Sequence, residues 1–353
     1  MTDRHARIAN FKAIAAQRVL LLDGPKGTEI QNKDLTEADF RGDRFARHSH
    51  DLKGNNDILN LTRADIITAI HREYAAAGAE IMSTNTFNSN AISQADYGLE
   101  AESYAINRAG AEIARKVADE YATPDRPIWV AGAMGPTNAT LSLSPDVNCP
   151  EFRATDFDRM VAIYTEAARG LIDGGADYLL IETVFDTLNA KAAIAAVRDL
   201  ESEIGEPVAM ALSMTVVDKS GRNLSGQTVE AFHASIRHAN PLSVGINCSL
   251  GVEQLRPYVA ALARIADTLI HVYPNAGLPN DLGGYDEPPT TTAAHLGEWA
   301  RAGFVNIVGG CCGTTPDHIA AIANAVEGNS ARPIPHHPDA LRLSGLEPFE
   351  LVS

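Results

Sequence analysis

Three cysteines stand where two apolar runs of the chain end. Cys311 and Cys312 are adjacent and follow one apolar run and two glycines, whereas Cys248 follows a second apolar run. Three thiolates that leave one coordination position open are typical of a catalytic rather than a structural zinc site. Zinc also deprotonates a bound thiol, whose pKa is otherwise about 8.5. The pattern therefore predicts that the three cysteines meet in space, hold Zn²⁺ and leave its open position to a thiol substrate.

A simpler interpretation is that these cysteines are buried apolar side chains, since free cysteine is often part of a protein core. Four cysteines in 353 residues do not form a disulfide framework, and clustered thiols more often indicate metal binding or catalysis. The adjacent pair would close only a strained disulfide, so both thiols are free to bind a metal. Cys149 lies in a loop beside Pro150, and we assign it no role.

Polar side chains also follow other apolar runs. Glu182 ends the run at 178–181 and either binds a cation or a substrate ammonium, or is a buried acid satisfied by protein groups; we favour the first. Asp23 has the same two interpretations, and an Asp-Gly pair can also simply form a turn. Asn247 precedes Cys248 and is a candidate for the open position of the metal when substrate is absent. All three side chains are therefore candidates for contacts within the site.

Eight short apolar runs recur, each followed by a longer helical pattern. Most are continuous rather than alternating, as expected of strands buried on both faces. They begin about 26 to 61 residues apart, which suits βα units with loop insertions. The pattern predicts an α/β protein with a (β/α)8 barrel. The runs are 19–23, 80–84, 128–133, 178–182, 208–213, 243–247, 269–273 and 305–309.

The barrel would place the three cysteines together. Cys248 ends the sixth run, Cys311 and Cys312 follow the eighth, and the carboxyl ends of barrel strands share one rim that carries the active site. A doubly wound fold is the alternative, but residues 23–28 are glycine-rich without the expected GxGxxG fingerprint.

Long polar loops interrupt the pattern at 31–61, 136–152 and 277–289. The segment from Ala331 onward is rich in proline and is predicted to be an extended tail or linker outside the barrel. We therefore expect a barrel domain at 1–330 and an extended C-terminal tail at 331–353.

The net charge of −16 argues against nucleic acid or an anionic membrane as a partner, because both need a basic surface. No run of about 18 uncharged apolar residues appears, and the first residues lack the apolar core of a secretory signal. The expected location is the cytoplasm.

Two motifs resemble the zinc-ligand motifs of homocysteine S-methyltransferases. They are 245–249, Gly-Ile-Asn-Cys-Ser, and 309–316, Gly-Gly-Cys-Cys-Gly-Thr-Thr-Pro. The resemblance extends over about 19–325 and is closest to the N-terminal homocysteine-binding domain of cobalamin-dependent methionine synthase. It implies that zinc is held by Cys248, Cys311 and Cys312, with the sulfur of homocysteine as fourth ligand. It further implies that Asp23 and Gly24 contact the amino-acid part of homocysteine, that Glu182 binds its ammonium, and that methyl transfer to the thiolate gives methionine.

The chain departs from this family pattern at two strand ends. Lys26 stands where the family has methionine, and Ser83 where it has glutamate. Glu29 is a further charge on the same rim.

The methyl donor is not fixed by these motifs. We expect a subunit that works with a separate cobalamin-binding protein carrying methylcobalamin. The alternatives are a self-sufficient enzyme that uses betaine or S-methylmethionine, and a non-catalytic module that binds a thiol and regulates a partner. A phosphate site at 309–310 is a further alternative, but it leaves both following cysteines unexplained.

Overall fold

The computed structural model describes residues 4–338 and 340–351, apart from the side chain of Ser249. The strands are β1 (Leu20–Leu21), β2 (Ile81–Ser83), β3 (Trp129–Met134), β4 (Tyr178–Val184), β5 (Met210–Met214), β6 (Ser243–Gly251), β7 (Leu269–Asn275), β8 (Ile307–Val308), β9 (Leu341–Ser344) and β10 (Pro348–Leu351). The helices are α1 (Arg4–Ala15), α2 (Lys26–Gln31), α3 (Glu37–Arg41), α4 (Leu59–Thr62), α5 (Ala64–Ala76), α6 (Ala91–Gln94), α7 (Ser103–Tyr121), α8 (Phe157–Asp173), α9 (Thr187–Ile204), α10 (Val229–Ile236), α11 (Val252–Ile265), α12 (Pro289–Arg301) and α13 (Pro316–Val326).

Strands β1 to β8 form a parallel barrel at the centre of the molecule, which confirms the predicted (β/α)8 fold. Hydrogen bonds join them in the order β1-β8-β7-β6-β5-β4-β3-β2. At the remaining edge, Leu22 bridges Ile81, and the backbone N–H of Asp23 donates to the carbonyl of Ile81 at 3.0 Å. The sheet is therefore a nearly closed cylinder. Each of its strands overlaps one of the eight apolar runs predicted from the sequence.

Each strand buries both of its faces. Leu20 and Leu22 belong to the cluster inside the barrel, whereas Leu21, between them, packs in the cluster between sheet and helices. The outer ring consists of α5 and α7 to α13, and neighbouring helices of this ring pack against one another all the way round. Burial on both sides explains why the strand sequences are continuous apolar runs.

Helix α1 covers the amino-terminal end of the barrel. The Phe11 ring meets Trp129 edge-to-face at 5.1 Å between centroids and lies 5.7 Å from the Tyr178 ring. Phe11 is completely buried together with the residues inside the barrel. Helix α1 thus covers this end, with a cavity of about 570 Å³ beside the helix, and the predicted functional side chains lie at the opposite end.

The tail begins with a fixed attachment to the barrel. The buried Arg332 guanidinium donates to the carbonyls of Ala263 at 2.8 Å and Thr268 at 3.0 Å. Farther on, β9 and β10 pair as an antiparallel hairpin outside the barrel sheet, and Ser344 Oγ donates to the carbonyl of Ala231 in α10 at 2.6 Å. The division into a domain at 1–330 and a tail at 331–353 stays a prediction.

In the described part of the chain, no helix is both long and apolar enough to cross a membrane.

Candidate active site

The three cysteines predicted to bind zinc meet at the carboxyl-terminal rim of the barrel. The Sγ atom of Cys312 lies 3.9 Å from that of Cys248 and 4.0 Å from that of Cys311. All three sulfurs lie within 4.8 Å of one another, and no second group of three or more potential metal ligands occurs among the residues with described positions. Zinc–sulfur bonds of about 2.3 Å in tetrahedral geometry place sulfurs about 3.8 Å apart. The cluster therefore fits a tetrahedral metal ion with one position left for another ligand.

The turn after β8 holds two of these thiols in place. The backbone N–H of Cys311 donates to the carbonyl of Pro274 at 2.8 Å, which ties the turn to β7. Gly313 follows Cys312 with φ of +80°, and a Cβ atom there would lie 2.2 Å from the Cβ atom of Tyr285. Only glycine fits this conformation and this close approach.

The thiols also interact with one another. Hydrogen bonds from Cys248 and Cys311 lower the pKa of Cys312, whereas the contacts with Cys248 and Cys312 raise the pKa of Cys311. One member of the cluster thus releases its proton more readily than an isolated cysteine does. Metal binding requires deprotonated thiols, so the lowered pKa of Cys312 and the raised pKa of Cys311 act on it in opposite directions.

Asn247 braces two strand ends beneath the site. Its Nδ2 donates to Thr183 Oγ1 at 2.8 Å, and its Oδ1 accepts from the Thr183 N–H at 3.0 Å and from Ser213 Oγ. Thr183 and Cys248 both have left-handed backbone, with φ of 57° and 61°. Such conformations cost about 1–3 kcal/mol and persist only when surrounding contacts impose them. Asn247 therefore links the strand end that carries Glu182 to the one that carries Cys248.

A cavity of about 670 Å³ opens over the cysteines. It brings together most of the side chains singled out in the sequence, while Asn247 is fully buried and lies outside its lining. A direct contact of Asn247 with substrate or metal stays a prediction. The predicted residues that line the cavity are Asp23, Gly24, Glu182, Cys248, Cys311 and Cys312.

Glu182 faces this cavity from the end of β4. Burial raises the pKa of its carboxyl group to about 7, although a hydrogen bond from Tyr273 and the nearby charge of Lys26 both act to lower it. The Tyr273 hydroxyl donates to Glu182 Oε2 at 3.2 Å and lies 2.8 Å from Ser213 Oγ. Glu182 thus changes charge near neutral pH and is held in one orientation.

Asp23 is engaged by the two residues that depart from the family pattern. Its Oδ2 accepts from the Lys26 ammonium and, at 3.1 Å, from the Ser83 N–H, whereas its Oδ1 accepts from Ser83 Oγ at 2.8 Å. Burial raises the pKa of Asp23 and lowers that of Lys26, and the attraction between the two groups opposes both shifts. Lys26 therefore pairs with Asp23. Glu29 lies outside the lining of the cavity, near Glu73 and Lys33.

Two further residues of the cavity were not selected from the sequence. Tyr285, in the loop between β7 and α12, contacts Cys312, and its pKa is raised by burial and by the neighbouring thiols. Burial raises the pKa of Asp57 to about 7, although it accepts hydrogen bonds from Ser89 Oγ at 2.8 Å and from the Asn88 N–H at 2.6 Å. Both lie in the long loops, where no periodic pattern distinguishes them from exposed polar residues.

Comparison with known proteins identifies the family. A family model described as homocysteine S-methyltransferase matches residues 20–326 of the sequence. The fold is similar to that of the homocysteine methyltransferase MmuM from Escherichia coli. Its metallated form superposes with a TM-score of 0.68 at 23% identity, over 91% of this chain and 99% of that one. The oxidised form gives a TM-score of 0.67 at 23% identity, over 87% and 95% of the two chains. The chain therefore belongs to the homocysteine S-methyltransferase family.

Proposed function

We propose that the protein is a zinc-dependent methyltransferase that methylates the thiol of homocysteine to give methionine. The observation that carries this proposal is the position of the three-cysteine cluster, which opens into the same cavity as a carboxylate suited to a substrate ammonium. A thiol bound at the open metal position would have Glu182 within the same enclosure. The similarity to an E. coli homocysteine methyltransferase with a metallated form supports both the substrate and the metal.

Cys248, Cys311 and Cys312 would hold the zinc ion. When bound, zinc would favour loss of the thiol proton at neutral pH while leaving the sulfur nucleophilic. Ionised Glu182 would accept the ammonium of homocysteine, and Tyr273 would keep that carboxylate oriented. Methyl transfer then forms a sulfur–carbon bond and breaks the bond between the methyl group and its donor. The donor keeps that electron pair, and the thiol proton passes to solvent.

For the donor, we propose methylcobalamin bound to a separate protein, so that this chain is the homocysteine-binding subunit of a split methionine synthase. Support comes from the resemblance of both cysteine motifs to the homocysteine domain of cobalamin-dependent methionine synthase. A self-sufficient enzyme using betaine or S-methylmethionine is the alternative.

The test is methionine formation from homocysteine with each donor in turn. The zinc-loaded protein is incubated with methylcobalamin, betaine or S-methylmethionine, and methionine is quantified by mass spectrometry. We expect product with methylcobalamin, none with Cys312→Ala, and unchanged product with Cys149→Ala as the matched cysteine control. Turnover with betaine or S-methylmethionine alone, in the absence of any corrinoid, would overturn the subunit proposal. Binding of zinc and homocysteine without methylation by any donor would instead indicate a regulatory module.

A further inference from the structure

The ammonium of Lys26 is completely engaged by the protein. It donates to Asp23 Oδ2, to Ser83 Oγ at 2.9 Å and to the carbonyl of Gly24 at 3.2 Å. A lysine ammonium has three N–H donors, so all three have acceptors within the chain. The side chain of Lys26 is 5% exposed and that of Asp23 is 1% exposed. The pair is therefore an internal element of the cavity wall.

Asp23 has little capacity left for a ligand. Both of its oxygens accept hydrogen bonds from Ser83, and one of them also accepts from Lys26. A substrate ammonium at Asp23 would have to displace the lysine. Removing one partner from a buried ion pair typically costs about 3–5 kcal/mol. Displacement is thus unfavourable unless the substrate supplies an equally good cation in the same place.

Of the two carboxylates that the family resemblance implies as contacts of the amino-acid part, the cavity consequently offers one, Glu182, to an ammonium. Asp23 and Glu182 both line it, but the charge of Asp23 is balanced by Lys26. The same lysine lies close enough to Glu182 to influence its carboxyl group electrostatically. An ammonium bound at Glu182 would therefore meet both the attraction of one carboxylate and the repulsion of a neighbouring cation.

We propose that Lys26 is a specificity-determining residue that acts as a built-in ammonium at Asp23 and widens the acceptor from amino-acid thiols to mercapto-carboxylic acids. This inference rests on the proposed function, because it concerns which thiols are methylated at the same metal site. A pocket that depends on a substrate N–H rejects an analogue without that group by about 10⁴–10⁵. Here Lys26 already supplies the cation that pairs with Asp23, so the site should reject a thiol without an amino group far less strongly.

The test compares homocysteine with 4-mercaptobutanoate, which is the same thiol without its amino group. We expect the wild-type protein to favour homocysteine in kcat/KM by less than about 100-fold, the contribution of a single charged hydrogen bond. Lys26→Met frees Asp23 for the substrate ammonium and should raise that preference at least tenfold. Lys12→Met, which changes an exposed lysine in α1, is the control and should leave it unchanged. Lys26→Gln removes the charge but can still hydrogen-bond Ser83, and it replaces Lys26→Met if the latter does not fold.

A second readout needs neither metal nor turnover. Methionine and 4-(methylthio)butanoate are titrated calorimetrically into protein kept metal-free by a chelator, and the ratio of their dissociation constants is measured. The ratio should follow the kinetic one and rise on Lys26→Met. A wild-type preference for the amino compounds above about 100-fold, or a preference that Lys26→Met leaves unchanged, would overturn the role of Lys26 while the proposed function stands. Absence of methylation of either thiol would count against the proposed function, and the binding ratio would still decide the role of Lys26.

Discussion

Replacing Cys311 by alanine should abolish metal binding. Wild-type protein should contain about one zinc per chain, and Cys311→Ala less than about a tenth of that. Changes to groups that only orient metal ligands already cost about 10–100-fold in affinity, so loss of a ligand itself should cost more than 100-fold. Cys149→Ala is the matched control, because Cys149 is a free cysteine outside the cluster.

The stability gain from zinc gives this prediction a magnitude. A free ligand at about 1,000 times its dissociation constant stabilises the folded state by about 4.1 kcal/mol. The entropy of unfolding of about 2.1 cal/mol/K per residue amounts to about 0.74 kcal/mol/K for 353 residues. Added zinc should therefore raise Tm by about 5–6 °C in wild type and Cys149→Ala. It should leave the Tm of Cys311→Ala unchanged.

Elemental analysis of dialysed protein and scanning calorimetry with and without zinc provide the two measurements. Close to one zinc retained by Cys311→Ala, with the same increase in Tm, would refute the three-thiol site. A metal-free wild type that gains no stability from zinc would refute it equally.

Three other perturbations test the surroundings of the site. Glu182→Gln should lower kcat/KM for homocysteine about 10- to 100-fold above pH 7, where the wild-type carboxylate is ionised, and by less below its pKa of about 7. If the ratio of the wild-type kcat/KM to that of the variant does not change with pH, Glu182 does not contact the ammonium. Asp57→Asn should change how stability depends on pH, because the wild-type carboxyl group keeps its proton up to about pH 7 in the folded state but loses it near pH 3.8 in the unfolded state. The free energy of unfolding of the wild type, measured in urea relative to that of the variant, should therefore fall by about 1.4 kcal/mol per pH unit between pH 5 and 6.5. Gly313→Ala should destabilise the protein more than Gly303→Ala, because both have positive φ but only the first would press a Cβ against Tyr285; equal losses of Tm would show that this contact is relieved easily.

The barrel and the cysteine cluster were predictable because both depend on local patterns. Each strand buries two faces, so its sequence is a continuous apolar run. Residues at the carboxyl ends of these strands share one rim of the barrel. This placed Cys248 near Cys311 and Cys312 although more than sixty residues separate them. The same rule brought Asp23 and Glu182 into one cavity.

The pairing of side chains within the rim was not predictable in the same way. Lys26 and Ser83 were recognised as departures from the family pattern, but their shared contact with Asp23 depends on side-chain directions across two strand ends. Asn247 was selected for its position beside a cysteine, and the contact of its amide with Thr183, whose backbone is left-handed, was not anticipated. Such details arise from tertiary geometry, which residue spacing does not encode.

The hairpin at the end of the chain was missed for a related reason. Proline-rich composition indicates extended backbone, and it does not show whether that backbone pairs with itself or packs on a helix. Both occur here, since β9 and β10 pair and Ser344 contacts the carbonyl of Ala231.

The brace formed by Asn247 has a consequence for substrate length. It joins the strand end that carries Glu182 to the strand end that carries Cys248, so the positions of these two side chains are coupled. In the proposed function, with the ammonium at Glu182 and the sulfur at the metal, their separation would select the number of methylene groups between the amino group and the sulfur of a substrate. Cysteine, one methylene shorter than homocysteine, would then be expected to fit the site less well.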